Sequence, residues 1–188
     1  MQVVLGQHFS LIKKLTSTHF STIYKAKEIS TSTDVALKLE LFNTRYPQLE
    51  GEFKRLQQFQ GATGIPKLYY YGIESNYKIL AMEYFQYSLQ DLFEKCHRRF
   101  SLKTVLMIAD QLLSRIEYFH KCEEIHRDIK PENFMYCEDD KIIYAIDYGF
   151  FKTYIVPKPP YNVPPKRKKT QHFTGTLRYA SINTLDGY

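Results

Sequence analysis

His126-Arg127-Asp128-Ile129-Lys130-Pro131-Glu132-Asn133-Phe134 is the densest cluster of polar and ionisable side chains in the chain, and its reading decides the fold. Proline within it removes a backbone donor and blocks a helix, so these side chains are expected on a loop. Nineteen positions after Asp128 comes Asp147-Tyr148-Gly149, behind the apolar run Ile142-Ile143-Tyr144-Ala145-Ile146 that reads as a buried strand. At that spacing a hairpin can return Asp147 to the loop carrying Asp128 and Asn133. Oxygens of Asp and Asn gathered at a strand end suit Mg2+, a hard cation usually held by one or two carboxylates plus phosphate oxygens. A phosphate-bearing ligand is implied.

Working upstream, Val35-Ala36-Leu37-Lys38 ends on a lysine, and Glu52 follows fourteen residues later, where the two can pair and set the ammonium against phosphate oxygens. Phe9 to Leu15, Ser21 to Lys27 and Thr33 to Leu41 are short β-branched and aromatic runs separated by turn-forming clusters, a meander of three strands. Pro47 suits the first turn of a following helix, in which Leu49, Phe53 and Leu56 recur at helical spacing although Gly51 weakens it. Leu68 to Ile73 and Lys78 to Tyr84 would complete a five-stranded sheet.

Beyond Tyr84 the period changes. From Lys103 to Cys122 the residues Val105, Ile108, Ala109, Leu112, Ile116 and Phe119 keep one apolar face, with Ser101 as N-cap. A mostly β part, 1–84, followed by a helical part, 85–188, describes an α+β architecture of two lobes, and a cleft between lobes is a natural ligand site.

The 188 residues carry a formal charge of +6, but residues 1–147 hold 19 basic and 19 acidic side chains, so the whole excess lies in 148–188. At 44% hydrophobic the chain can bury a core, which excludes disorder and fibres. No apolar run approaches a membrane span, and the N-terminal Met1 to Gly6 is too short for a secretory signal, so a soluble protein of the cytoplasm or nucleus is expected. Cys96, Cys122 and Cys137 form no C-x-x-C pair and are odd in number, which favours reduced thiols over zinc or disulfides. His8, His97, His120 and His172 have no metal spacing and read as surface or packing residues.

Taken together, these pieces resemble the eukaryotic protein kinases: Val35 to Lys38 is similar to V-A-I-K, Glu52 to its helical partner, His126 to Asn133 to the catalytic loop, and Asp147-Tyr148-Gly149 to D-F-G. Lys130 and Thr176 resemble the serine/threonine type and argue against tyrosine specificity. Tyr46 to Leu49, Ser88 to Phe93, Phe100 to Leu106, Ser114 to Tyr118 and Thr174 to Asn183 resemble the casein kinase 1 family, with Ser181-Ile182-Asn183 standing where most kinases have A-P-E. The resemblance, from about Phe9 onward, implies a kinase-like fold: a five-stranded antiparallel sheet plus one helix in the small lobe, and an incomplete, mainly helical large lobe.

It also implies roles. Asp128 would orient the substrate hydroxyl and accept its proton, and Lys130 would stabilise the transferred phosphoryl group, with Thr176 beside them. Asn133 and Asp147 would hold Mg2+, and Lys38, fixed by Glu52, the phosphates of ATP. The adenine would lie between Ile23 and Ala36 above and Met135 below, with Ile146 behind, Met82 as gatekeeper, and Glu83, Tyr84 and Phe85 as hinge. Leu15 and Thr16 would border the same site. Arg178 matches an anion-binding position of a family that prefers acidic or already phosphorylated substrates. A monomer is expected, with nucleic acid not the expected partner.

Two departures stand beside the match. The family's G-x-G-x-x-G falls on Thr16-Ser17-Thr18-His19-Phe20-Ser21, where each added Cβ disfavours positive φ and crowds the phosphates, so weakened ATP binding is expected without its loss. A pseudokinase or ATP-binding scaffold is the alternative. The family's domain also continues with further large-lobe helices past the position of Tyr188, which makes a partial sequence, poor stability and weak activity the expectation. Without those helices Leu112 and Ile116 are expected to face water. Lys166-Arg167-Lys168-Lys169 has three readings: a solvated loop, a nuclear import signal, or a patch that concentrates acidic peptide beside Arg178.

Overall fold

Period-two alternation in Asp34–Leu41 (β4) sends Val35, Leu37 and Leu39 to one face of a sheet and Ala36 and Lys38 to the other, and this placement organises the whole small lobe. The computed structural model describes residues 4–5, 8–18, 21–153 and 173–186. Around β4 lie Val4–Leu5 (β1), Phe9–Ser17 (β2), Thr22–Glu28 (β3), Leu68–Glu74 (β5) and Tyr77–Glu83 (β6), all antiparallel in the order β1-β2-β3-β4-β6-β5. The five expected strands are present, and the two-residue β1 adds a sixth at the edge. Register sets Lys38 opposite Leu80 and Ala36 opposite Met82. One face of the sheet buries Phe9, Val35, Leu37, Ile79 and Ala81, and the cleft face carries Leu80 and Met82.

The helix after β4 spans Leu49–Phe59 (α1) and buries Leu49, Leu56 and Phe59, while Phe53 stacks on Tyr71 at 4.2 Å. It begins two residues beyond Pro47, which lies outside the first turn, contrary to expectation. Gln48 supplies no side-chain cap; instead the buried Glu40 of β4 accepts the amide protons of Gln48 at 2.6 Å and Leu49 at 3.0 Å. A carboxylate at a helix N-terminus suits the dipole and satisfies two otherwise orphaned donors. The start of α1 is thereby fastened to the strand that carries Lys38.

Tyr87–Ser88 (β7) leads directly into Leu89–Lys95 (α2), closed by a reciprocal capping box between Ser88 and Asp91. Leu102–Lys121 (α3) starts at the expected cap, where Ser101 Oγ accepts the Thr104 amide proton at 3.1 Å. Phe119 is fully buried and Ile108, Leu112 and Ile116 are half-buried against the shared core, so Leu112 and Ile116 are not left in water. The exposed apolar side chains of α3 are others, chiefly Leu102, at 74% exposure, and Leu113, at 71%.

After α3 come Glu124–Ile125 (β8), Phe134–Tyr136 (β9), Ile143–Ala145 (β10), Lys152–Thr153 (β11) and the short helix Ile182–Leu185 (α4). β9 and β10 form the expected hairpin. Helix α3 holds it: Gln111 accepts the Ile143 amide proton at 2.8 Å and donates to the Lys141 carbonyl at 3.0 Å. No helix among the described residues is long and apolar enough to cross a membrane. The three cysteines are unpaired thiols.

Gly64 joins the lobes closely. Its carbonyl accepts the Ala145 amide proton at 2.9 Å, its φ is +73°, and a Cβ there would stand 2.6 Å from the Ile143 carbonyl oxygen. Gly61 has φ +86° with open space around it. Gly64→Ala should therefore cost clearly more than Gly61→Ala, which carries only a backbone penalty of about 1 kcal/mol. Denaturant unfolding of the two variants checks this; equal losses would mean the close approach at Gly64 is not a constraint.

Candidate active site

Lys38 reaches from the cleft face of β4 to Glu52 of α1 at 2.6 Å and to Asp147 at 3.4 Å. Glu52 is fully buried and Lys38 nearly so. Burial works against the ammonium, but the carboxylates of Glu52 and Asp147 outweigh it and hold the Lys38 pKa above the ordinary lysine value. Burial likewise opposes charge on Asp147, yet Lys38 and the Gly149 amide together hold its carboxyl below the usual range. Both groups are charged at neutral pH. One cation thus joins strand, helix and the segment that begins at Asp147.

Expected as an irregular loop, the segment from His126 to Phe134 contains one 3-10 turn, Pro131–Asn133, with Pro131 at its first position, where a missing N–H costs nothing. Asp128 is buried and heavily engaged. Its Oδ1 accepts from the Thr176 hydroxyl at 2.7 Å, and its Oδ2 lies 2.7 Å from Lys130 Nζ. Asn133 Nδ2 donates to the Asp128 backbone carbonyl at 2.8 Å and to Oδ2 at 3.1 Å. Lys130 Nζ also donates to Thr176 Oγ1 at 3.0 Å. Two residues 48 positions apart in sequence therefore meet at one carboxylate.

Backbone strain supports this loop. Arg127 has φ +66°, a left-handed conformation costly for a residue with a Cβ, and its Nε donates to the Phe150 carbonyl at 2.6 Å. Gly175, at φ +104°, passes so near that a Cβ would stand 2.5 Å from the Arg127 carbonyl oxygen. His126 packs among Phe119, Phe134 and Phe151, and burial lowers its pKa, so it is neutral and accepts the Asp128 amide proton at Nδ1, 3.3 Å away. Tyr148 is fully buried and satisfies its hydroxyl on the Ala145 carbonyl at 2.7 Å.

A cavity of about 470 Å3 opens between the lobes. Leu15, Thr16, Ile23, Ala36, Met82, Glu83 and Phe85 line it from above and behind, and Met135 and Ile146 from the other side. Lys38, Lys130, Asn133 and Asp147 stand at its polar end, while Glu52 touches it only through Lys38. Asp128, Thr176 and Arg127 border a separate hollow of about 140 Å3 that also includes Thr174, Tyr179 and Ser181. Arg178 does not line that hollow; it is exposed on the turn Leu177–Tyr179. The basic run 166–169 lies outside the described residues.

The sequence reading missed Ser88, Asp91 and Phe150 as cavity residues. The spacing Ser-x-x-Asp at the head of a helix was a legible signal for the first two. Of the glycine-free loop 16–21, residues 16–18 and 21 are described. None of Thr16, Ser17, Thr18 and Ser21 needs a positive φ. The Thr18 amide donates to the Ser21 carbonyl at 2.8 Å and the Ser21 amide to Thr18 Oγ1 at 3.2 Å, with Ser17 and Thr22 hydroxyls bonded at 3.0 Å. These amides are used within the loop and are not held out for a ligand.

A two-lobed fold with a strand lysine paired to a helix glutamate, and a loop aspartate bonded to lysine and asparagine beside the cleft, defines a phosphotransferase of the kinase class. A family model described as protein kinase domain matches residues 9–187. The chain belongs to the protein kinase domain family.

The charge triad has a pH signature. The Asp147 contribution is present above about pH 3.9 and is lost as pH falls through its depressed pKa, whereas the Lys38 contribution persists up to about pH 10.4 and is lost above it. Lys38→Met strands two carboxylates and should destabilise by roughly 3 kcal/mol near pH 7. That deficit should narrow as pH falls toward 4 and the carboxylates take up protons. Urea unfolding across pH 4–8 measures it, and a pH-independent deficit contradicts the triad.

Proposed function

We propose that the protein is a serine/threonine kinase of casein kinase 1 type that transfers the γ-phosphoryl group of Mg-ATP to Ser or Thr of acidic or previously phosphorylated proteins. The observation that carries this reading is the Asp128 carboxylate held by Thr176, Lys130 and Asn133 between the large cavity and the hollow beside it. A hydroxyl entering the hollow would meet Asp128, whose oxygen orients it and takes its proton. Lys130, within reach of Asp128 and of the cavity, would stabilise charge on the phosphoryl group in flight.

Lys38 is suited to hold the phosphates of ATP, because Glu52 and Asp147 keep it charged and immobile. The apolar walls formed by Ile23, Ala36, Met135 and Ile146 suit an adenine, with Met82 as gatekeeper and the Glu83 to Phe85 backbone as hinge. Asn133 and Asp147 fit Mg2+. The amide nitrogen of Asn133 is committed to Asp128, which leaves its oxygen for a cation, and one carboxylate plus phosphate oxygens is an ordinary Mg2+ donor set. Among the described residues no cluster of three His, Cys, Asp or Glu forms a site independent of phosphate. The chemistry such an ion supplies is neutralisation of phosphate charge.

Acidic substrates are supported by the seven basic and one acidic side chains of 148–188, with Arg178 exposed near the hollow. A second reading, an ATP-binding scaffold with feeble transfer, is favoured by the Thr18 amide donating to the Ser21 carbonyl and the Ser21 amide to the Thr18 hydroxyl. Transfer of radiolabelled phosphate to an acidic Ser/Thr peptide decides between them. The kinase reading expects transfer that falls at least a hundredfold in Asp128→Asn and at least tenfold in Thr176→Val. Nucleotide binding without transfer would establish the scaffold. Alanine at 166–169 should raise KM for acidic peptides several-fold more than for neutral ones, and this difference should shrink in high salt.

A further inference from the structure

Glu124 takes no part in the chemistry above, yet it is a buried carboxylate at the junction of three elements. It belongs to β8, where its register partner is Thr153 of β11, the strand that follows Asp147-Tyr148-Gly149. Its Oε1 accepts from the Thr153 hydroxyl at 2.6 Å. Its Oε2 lies 3.5 Å from Nε of Arg55, which is one turn after Glu52 on α1. Only about 7% of the Glu124 side chain meets solvent, and neither its Oε2 nor Arg55 Nε makes a hydrogen bond. The pair is held by charge across a gap somewhat longer than a good charged hydrogen bond.

Such a pair is a poor device for stability, because burying both charges costs about as much as their attraction returns. Its strength is in direction. The present partners of the two Glu124 oxygens are both in place when α1 brings Arg55 to Oε2 and β11 holds Thr153 at Oε1. Arg127 shares the same surroundings: burial and the like charge of Arg55 lower its pKa, and Glu124 opposes them. Two guanidinium groups thus face one carboxylate, and of the two only Arg55 belongs to α1.

We infer that Glu124 is a positioning residue, and that the Arg55–Glu124–Thr153 chain is a latch that makes the placement of α1, and through it the Lys38–Glu52 pair, depend on β11 being seated. Helix α1 is pinned by Glu40 at its start, by Glu52 to Lys38 in its first turn, and by Arg55 to Glu124 one turn on. Departure of β11 removes the Thr153 hydrogen bond and opens Glu124 to water, which weakens its hold on Arg55. The segment after Asp147 then controls the lysine that faces the phosphates. The consequence for ATP rests on the kinase reading; the consequence for α1 does not.

The test uses the whole chain with Thr153→Val, Thr153→Ser, Arg55→Met, Glu124→Gln and the double variant Arg55→Met/Glu124→Gln. Thr153 is at the surface, so Thr153→Val is the variant expected to fold even if Glu124→Gln does not. Amide hydrogen exchange without nucleotide should be roughly tenfold faster in residues 49–59 for Thr153→Val and Arg55→Met, with β2 to β4 unchanged and Thr153→Ser like wild type. The double variant should be no worse than the more affected single one. In kinetic assays KM for ATP should rise by a similar factor, while KM for peptide is unchanged. Exchange in 49–59 equal to wild type, or acceleration spread evenly over the chain, overturns the latch. If the wild-type chain binds no ATP while exchange behaves as stated, the kinase reading fails and the latch stands.

Discussion

The Lys38 ammonium, set between Glu52 at 2.6 Å and Asp147 at 3.4 Å, is the interaction through which the parts of this protein depend on one another. None of its members could be buried alone. An isolated charge in that setting would shift its pKa and neutralise, so the strand, the helix and the segment after β10 must arrive together for any one of them to keep its charge. The constraint runs outward from there. Glu40 fastens the start of α1 to the lysine's own strand, and the aromatic cluster of Phe59, Phe119, Tyr148 and Phe151 clamps the segment following Asp147 onto α1 and α3.

The second centre, Asp128, follows a different logic. The triad is fixed by charge at the inner end of the cleft, whereas Asp128 is fixed by a dense set of hydrogen bonds from Thr176, Lys130 and Asn133. These partners come from both sides of the 154–172 stretch, so the loop is formed only when the segment around Thr176 has returned to it. The left-handed Arg127 and the close passage of Gly175 show what that return requires: backbone in a sparsely populated conformation, held by contacts that only the assembled fold supplies.

Much of this was legible in the residues. Period-two runs marked the five main strands, helical spacing marked α1 and α3, and the cluster around Asp128 together with Asp147 marked the site. The cavity gathers the residues expected around a nucleotide. What escaped has a common cause. Glu40 capping α1 across nine positions and Glu124 between Arg55 and Thr153 both owe their roles to partners that local patterns do not announce. Pro47 shows the converse: the residue suited a helix start, yet Glu40 set that start two positions later.

By itself the sequence determined the fold class through hydrophobic periodicity, a local property, while the resemblance of the motifs carrying Lys38, Glu52, Asp128, Asn133 and Asp147 pointed to the family. Only the tertiary structure decided where the Thr18 and Ser21 amide protons go, to the Ser21 carbonyl and the Thr18 hydroxyl, since composition does not specify those hydrogen bonds. It also decided that Leu112 and Ile116 pack inward while Leu102 and Leu113 face out, because the rotation of a helix about its axis is set by what it packs against. The same holds for Glu124. A glutamate in a two-residue strand has no meaning of its own until an arginine from α1 and a threonine from β11 are brought to its two oxygens.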